Sequence, residues 1–272
     1  MLKDVTLGQY FPGNTIVHRL DPRTKLLLTI LYIAILFTAN TWPGYLAVLA
    51  ALVAVTALAH IKPKAMLKGM KPLVVIIVFT AVLNLFFTTG DNTLFEWRFI
   101  HITTQGIHNA VTMVLRVMLL VSGTLILTYT TSPLAITDGL EILLSPLKKL
   151  HVPVYELSLM MSIALRFIPT LIEETDRIMS AQKARGADME SGGLVRRAKS
   201  LLPMLIPLFI SAFRRADELA TAMESRCYNG GEGRTRMKTL HMQRRDIISF
   251  ILGALLLGGV IALRWGTVLE VI

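Results

Sequence analysis

Long runs of apolar residues alternate with short polar stretches along the chain, and five of these runs approach the roughly 20 residues that a transmembrane helix needs. They lie at residues 26–41, 45–60, 72–89, 107–130 and 247–264. Trp42-Pro43-Gly44 is predicted to form an uncharged turn between the first two runs, and residues 90–106 are predicted to form a loop. The pattern predicts an all-α, polytopic integral membrane protein with about five transmembrane helices.

Residues 132–245 do not follow this pattern, since they are too charged for a series of simple spans and too apolar for a soluble loop. Within them, residues 155–188 and 200–228 each begin apolar, contain proline in the apolar half and then become polar. Such helices are typical of a membrane surface or a large protein partner. The predicted domains are therefore 1–131, a membrane part with four spans, 132–245, a cytoplasmic module, and 246–272, the span that completes the membrane part.

The two middle segments resemble each other at an offset of 41 residues, which pairs Asp176 with Asp217 and Arg185 with Arg226. Both end in a small-Arg-small tripeptide, Ala184-Arg185-Gly186 in the first and Ser225-Arg226-Cys227 in the second. An arginine at an exposed helix end suits bidentate docking onto a carboxylate of another subunit. It also commonly does no more than interact with the helix dipole, so both interpretations remain open. Two similar helix ends that carry these tripeptides, here called the tips, would fit two similar partners.

Three prolines lie in the apolar halves of these segments, at Pro169, Pro203 and Pro207. A proline removes one backbone hydrogen bond from a helix and permits a kink. These residues are candidate pivots.

Composition and charge support a membrane protein. Hydrophobic residues make up 53% of the 272 residues and charged residues 17%, whereas soluble domains average about 25% charged residues. The net charge is +10, but 25 of the 28 lysines and arginines fall in 1–25, 61–71 and 132–245. This positive-inside distribution predicts a multi-pass protein of the plasma membrane with a cytoplasmic N-terminus and an external C-terminus. It accounts for the charge without nucleic acid.

The sequence contains no phosphate-binding loop, no H-E-x-x-H motif and no nucleophile elbow. No catalytic residue, metal site or cofactor is therefore predicted. Arg116 lies inside the fourth span, and intramembrane charges usually face a partner or a wet cavity. A secondary transporter with its site near Arg116 is thus an alternative, although the internal repeat is parallel and lies in the basic segment rather than within the spans. A membrane-embedded enzyme such as a phosphatidyl transferase would need clustered aspartates, which are absent.

The stretches KARGAD (183–188), LLPMLIPLF (201–209) and AMESRCYNGGEGRTR (222–236), together with the order of spans, resemble the transmembrane T component of energy-coupling factor transporters. These are multisubunit ABC transporters that import vitamins and metals. The resemblance covers essentially the whole chain. It implies a non-catalytic subunit that joins a membrane substrate-binding (S component) subunit to two cytoplasmic ABC-type ATPases, which bind the ATP.

The resemblance also assigns roles to residues. It makes 132–245 a module of coupling helices, with Arg185 and Arg226 docking on the ATPases. Their small flanking residues complete the two motifs, namely Ala184, Gly186, Ser225 and Cys227. The family's commoner second motif is Ala-Arg-Gly, from which Ser225-Arg226-Cys227 departs while remaining small on both sides.

Overall fold

A computed structural model describes residues 10–88, 93–97, 100–186, 193–230 and 239–269. These residues form predominantly α-helices, which confirms the predicted all-α class. The helices are α1 Pro22–Thr38, α2 Trp42–Leu58, α3 Pro63–Met70, α4 Val74–Phe87, α5 Thr104–Thr130, α6 Pro133–Leu144, α7 Val154–Ala184, α8 Leu194–Glu224 and α9 Arg244–Leu269. Short 3-10 helices cover Lys71–Leu73 and Ser145–Leu150.

The predicted loop at 90–106 is wrong in part, because it contains a small antiparallel hairpin. Strand β1 (Thr93–Trp97) pairs with β2 (Ile100–Thr103), and Glu96 stands opposite His101. The segments TLFEW and IHIT are rich in aromatic and β-branched residues, which favour extended backbone.

Side-chain caps explain where several helices begin. Asp21 accepts a hydrogen bond from the Arg23 backbone N–H at 2.9 Å and caps α1, whose first residue is Pro22. Thr41 caps α2 through the Gly44 N–H, and Thr103 caps α5 through the Gly106 N–H. These side chains satisfy donors that the first turn of a helix leaves unpaired.

The multi-pass membrane character is confirmed. Within the described part of the chain, four helical stretches are long and apolar enough to cross a membrane: Pro63–Phe87, Thr104–Thr130, Val154–Ala184 and Arg244–Trp265. Helix α2 is shorter and apolar; its 17 residues extend about 26 Å at 1.5 Å a residue. The third predicted span therefore belongs to a longer stretch beginning at Pro63. Val154–Ala184 also meets the criterion, because its charged residues cluster in its C-terminal half. It lies within 132–245, outside the five predicted spans.

Two compact units make up the chain, one containing the described residues of 8–139 and 240–272 and the other those of 140–239. In the first unit, α1 packs against α2, α5 and α9. The apolar side chains that are fully buried there include Ile35, Leu36, Val48 and Val260. Large apolar side chains also face outward, as with Phe87 at 80% exposure, which suits a surface in contact with lipid. The three predicted domains remain a prediction.

Buried charges tie the ends of α1 and α9 together. Asp246, 1% exposed, accepts hydrogen bonds from the Asp21 and Gln243 backbone N–H groups at 2.9 and 2.8 Å. Lys25 donates to the backbone oxygens of His18 and Thr130 at 3.1 and 2.9 Å. Buried charges are tolerated where they are paired with such partners.

The segment before α1 is held by the His18 ring. Its Nδ1 lies 2.7 Å from the Thr15 hydroxyl, and its Nε2 lies 3.1 Å from the Phe11 carbonyl oxygen. Burial lowers the pKa of His18, the hydrogen bond to Phe11 opposes this shift, and the charge of Lys25 adds to it. The neutral ring is therefore favoured in the folded protein.

Candidate functional site

The second unit is built on α7 and α8, which pack against each other in antiparallel orientation. The Arg215 guanidinium forms an ion pair with Glu174, and the Gln182 side-chain amide donates to the Pro203 backbone oxygen at 3.3 Å. Along the pair, the residue number in α7 rises as the number of its α8 partner falls, which requires antiparallel helices.

The ion pair joins equivalent positions of the internal repeat, because Glu174 and Arg215 are 41 residues apart. The two repeats therefore cross at the same point of each. Arg185 follows Glu174 by 11 residues (185 − 174), and Arg226 follows Arg215 by 11 (226 − 215). At 1.5 Å a residue, each arginine lies about 16 Å along its helix from the crossing. Since the helices are antiparallel, the two arginines lie at opposite ends of the pair.

Both helices end in the same way, inside the small-Arg-small tripeptides. Helix α7 ends at Ala184, and Gly186 adopts a left-handed conformation with φ +85°. Helix α8 ends at Glu224, and Cys227 adopts the same conformation with φ +56°. The third residue of each tripeptide therefore reverses the chain, as in common helix C-caps.

Backbone hydrogen bonds close both ends. The Gly186 N–H donates to the Lys183 oxygen at 3.0 Å, and the Cys227 N–H donates to the Glu224 oxygen at 2.8 Å. The Tyr228 N–H also donates to the Met223 oxygen at 3.0 Å, which completes a Schellman motif. Cys227 thus occupies a left-handed position that favours glycine, and Ser225-Arg226-Cys227 keeps the helix cap although it departs from Ala-Arg-Gly.

The six residues of the two tripeptides are all exposed. Among the described residues, neither Arg185 nor Arg226 forms an ion pair. The small side chains on either side leave each guanidinium open to a partner's carboxylate, where an arginine can form two parallel hydrogen bonds. The structure thus presents two matched cationic helix ends.

The three prolines lie inside continuous helices, Pro169 in α7 and both Pro203 and Pro207 in α8. Pro207 has no N–H, so it cannot bond to the Pro203 oxygen four residues earlier. Gln182 supplies the missing donor from α7. Pro207 thus leaves the Pro203 oxygen without a donor from its own helix, and this oxygen accepts the hydrogen bond that joins α8 to α7.

Sequence reasoning missed the contact of Glu174 with Arg215 and that of Gln182 with the Pro203 oxygen. The repeat offset contains a signal for one of them, because it places the opposite charges Glu174 and Arg215 at equivalent positions. No pattern in the sequence identifies Gln182 as the partner of Pro203, since that contact depends on how the helices face each other.

Arg116, in α5 of the first unit, faces the turn between α1 and α2. Its guanidinium donates to the Tyr45 hydroxyl at 2.7 Å, the Asn40 side-chain oxygen at 3.1 Å and the Ala39 backbone oxygen at 3.4 Å. These bonds show how the protein accommodates a cation inside a predicted span.

Comparison with known proteins identifies relatives over nearly the whole chain. Residues 13–237 match the CbiQ family, described as cobalt transport protein. A protein of Thermosediminibacter oceani is 53% identical over 264 residues, which cover 97% of this chain and 99% of the relative. A protein of Clostridium kluyveri is 52% identical over 250 residues, covering 92% and 93%. One of Lactococcus lactis subsp. cremoris is 47% identical over 259 residues, covering 94% and 97%. All three are named energy-coupling factor transporter transmembrane protein EcfT.

Proposed function

We infer the role of this chain from the family to which it belongs, the CbiQ family, and within it the energy-coupling factor transporter transmembrane proteins. The chain is accordingly a multi-pass transmembrane component of a transporter. We propose that it is the energy-coupling subunit of an ATP-driven importer of a vitamin or other micronutrient. In this role it links two cytoplasmic ABC-type ATPases to a membrane substrate-binding subunit.

The observation that supports this role is the equivalence of the two tips. Each carries one exposed arginine, ends in a left-handed third residue, and lies 11 residues beyond the Glu174–Arg215 crossing. Two equivalent docking ends at opposite extremes of one helix pair suit two equivalent partners. We therefore assign Arg185 to one ATPase and Arg226 to the other, with the flanking small residues allowing close approach.

The helix pair offers a means of transmitting movement. When ATP binding draws the two ATPases together, the docked tips move with them. The bonds of Glu174 to Arg215 and of Gln182 to Pro203 join the helices, so that movement at the tips passes to their apolar halves. Pro169, Pro203 and Pro207 are the proposed pivots; unchanged uptake by a variant with Pro203 and Pro207 replaced by alanine would remove that role from both.

The remaining parts of the role follow the same proposal. The chain itself binds no cofactor, ATP is bound and hydrolysed by the partner subunits, and the N-terminus lies in the cytoplasm. Family membership favours this role over a secondary transporter centred on Arg116, and we do not propose the latter.

Affinity purification in mild detergent tests the docking residues. The wild type, the double variant Arg185→Glu, Arg226→Glu, and the control Arg177→Glu are compared for the ATPase that they retain. Arg177 is also an exposed arginine of α7, and its ion pair with the exposed Glu173 is a long contact of 4.0 Å. We expect the wild type and the control to retain ATPase and the double variant to lose it while remaining monodisperse. Retention by the double variant would refute the assignment.

A further inference from the structure

A polar cavity of about 360 Å³ lies in the first unit, beside Arg116. It is bounded by the turn between α1 and α2 and by helices α4 and α5. Its polar wall includes Asn40, Asn84, His108, Asn109, Thr112 and Arg116. The volume lies at the small end of the roughly 300–1,000 Å³ range of ligand pockets.

The charge of Arg116 is not balanced in this cavity. None of the residues that line it is Asp or Glu, and the hydrogen-bond partners of the guanidinium are neutral oxygens. Its Nε atom is buried and has no hydrogen-bond partner within the described part of the chain. The rings of Phe37 and Tyr45, each 5.9 Å away, offset the charge only in part. A cation in such surroundings favours an anionic ligand.

Neutral donors face the same space. The Asn40 amide uses its oxygen for Arg116, which leaves its N–H groups to donate. The Asn84 side-chain amide donates one N–H to the Thr80 backbone oxygen at 2.9 Å, and its second N–H can donate to a ligand. The His108 ring is held edge-to-face against Trp42, with 5.8 Å between ring centroids. One guanidinium surrounded by amide and ring N–H donors matches the oxygens of a phosphate group.

The position of the cavity also suits a headgroup. His108, Thr112 and Arg116 recur every four residues along one face of α5, and cover about 12 Å of helix axis. His108 lies close to the first residue of α5, Thr104. The exposed Trp42 begins α2 at the adjacent turn, and tryptophan is typical of the membrane interface. The cavity thus extends from the helix ends, at headgroup level, down to Arg116.

We propose that this cavity binds a phosphate oxyanion, carried either by a membrane phospholipid or by inorganic phosphate, with the Arg116 guanidinium as its main contact. The site is separate from the two arginine tips and does not depend on the function proposed for them.

Binding to the delipidated full-length protein in detergent tests the proposal. Native mass spectrometry and thermal unfolding are recorded with phosphatidylglycerol, with a diacylglycerol of the same chains, and with inorganic phosphate. We expect saturable binding of phosphatidylglycerol, of inorganic phosphate, or of both, and none of the diacylglycerol. Binding of only one phosphate source identifies the natural one. If neither source binds more than the diacylglycerol does, the proposal is overturned.

Substitutions locate the binding. Arg116→Gln should weaken it by about tenfold to a hundredfold, since it removes charge-assisted hydrogen bonds. Arg166→Gln, the same change at an exposed arginine of α7, should leave binding unchanged. If Arg116→Gln fails to fold, the same binding measurement is made on Asn109→Leu, which should also weaken binding. This substitution narrows the cavity and leaves the groups bonded to Arg116 in place. Unchanged affinity in the folded variant or variants would overturn the proposal.

Discussion

Replacing Asp246 tests the junction that joins α1 to α9. The side chain is 1% exposed, and each carboxylate oxygen accepts one backbone hydrogen bond, from Asp21 at 2.9 Å and from Gln243 at 2.8 Å. A hydrogen bond to a charged group contributes about 1.5–3 kcal/mol. Asp246→Ala removes two such bonds and leaves two donors unpaired, so we expect the free energy of unfolding to fall by roughly 3–6 kcal/mol.

The asparagine variant separates the two bonds. Asp246→Asn retains one acceptor oxygen and places N–H donors where the second oxygen was. It should therefore lose about half as much stability as Asp246→Ala, roughly 1.5–3 kcal/mol. Charge loss adds to this, because the Asp246 carboxylate also interacts with the buried Lys25.

Equilibrium unfolding in detergent micelles measures these losses. Asp217→Ala is the control, since Asp217 is an exposed aspartate of α8 and its removal should change stability by less than about 0.5 kcal/mol. If Asp246→Ala loses no more stability than this control, the view that buried charges join α1 and α9 is refuted.

Three further predictions concern the helix pair and the N-terminal segment. A Glu174→Arg, Arg215→Glu double variant exchanges the charges at the crossing and should restore most of the thermal stability and ATPase retention that either single substitution loses. If the double variant instead loses as much stability as the two single variants added together, the ion pair does not join the helices. Gln182→Leu should lower the free energy of unfolding by about 1 kcal/mol, because it leaves the Pro203 oxygen without its donor. In a Pro207→Ala background the same substitution should cost almost nothing, because the N–H of residue 207 can bond to that oxygen. Equal losses in both backgrounds would contradict this. Burial lowers the pKa of His18 below its ordinary value of 6.5, so the folded state favours the neutral ring. The stabilisation that this neutral ring provides is complete above pH 6.5, the ordinary value, and is lost as the pH falls through the lower pKa of the folded protein. The free energy of unfolding, measured from pH 7.5 to 5, should therefore fall with pH in the wild type and fall less in His18→Asn.

The fold could be predicted wherever a local pattern determines it. The break between the first two apolar runs was predicted at Trp42-Pro43-Gly44, and the structure places it just before, at residues 39–41, because these three residues form the first turn of α2. The hairpin at Thr93–Thr103 was missed because its short segments lie between long apolar runs that dominate the pattern. The start of the third span was missed because the lysines before Pro72 indicate an interface, whereas the backbone passes through them as helix and 3-10 turn.

The candidate site divides in the same way. The two tripeptides were identifiable because a small-Arg-small ending is a local feature, and the structure gives both of them a left-handed third residue. The contact between Gln182 and Pro203 depends on the antiparallel crossing of α7 and α8, which no local pattern determines. The partners of Arg116 likewise come from α2 and the turn before it, 71 residues away at Tyr45 and 76 at Asn40, beyond the reach of any local pattern.

Photo-crosslinking from the two helix ends tests most directly whether they dock on ATPases. A photoreactive amino acid is placed at Ala184 or at Ser225 in the assembled transporter, with Glu173 on α7 as the exposed control position. We expect both tip positions to crosslink to an ATPase subunit, and position 173, which lies 11 residues before Ala184, to do so far less. Absence of ATPase crosslinks from both tips, in a complex that still contains the ATPases, would contradict it.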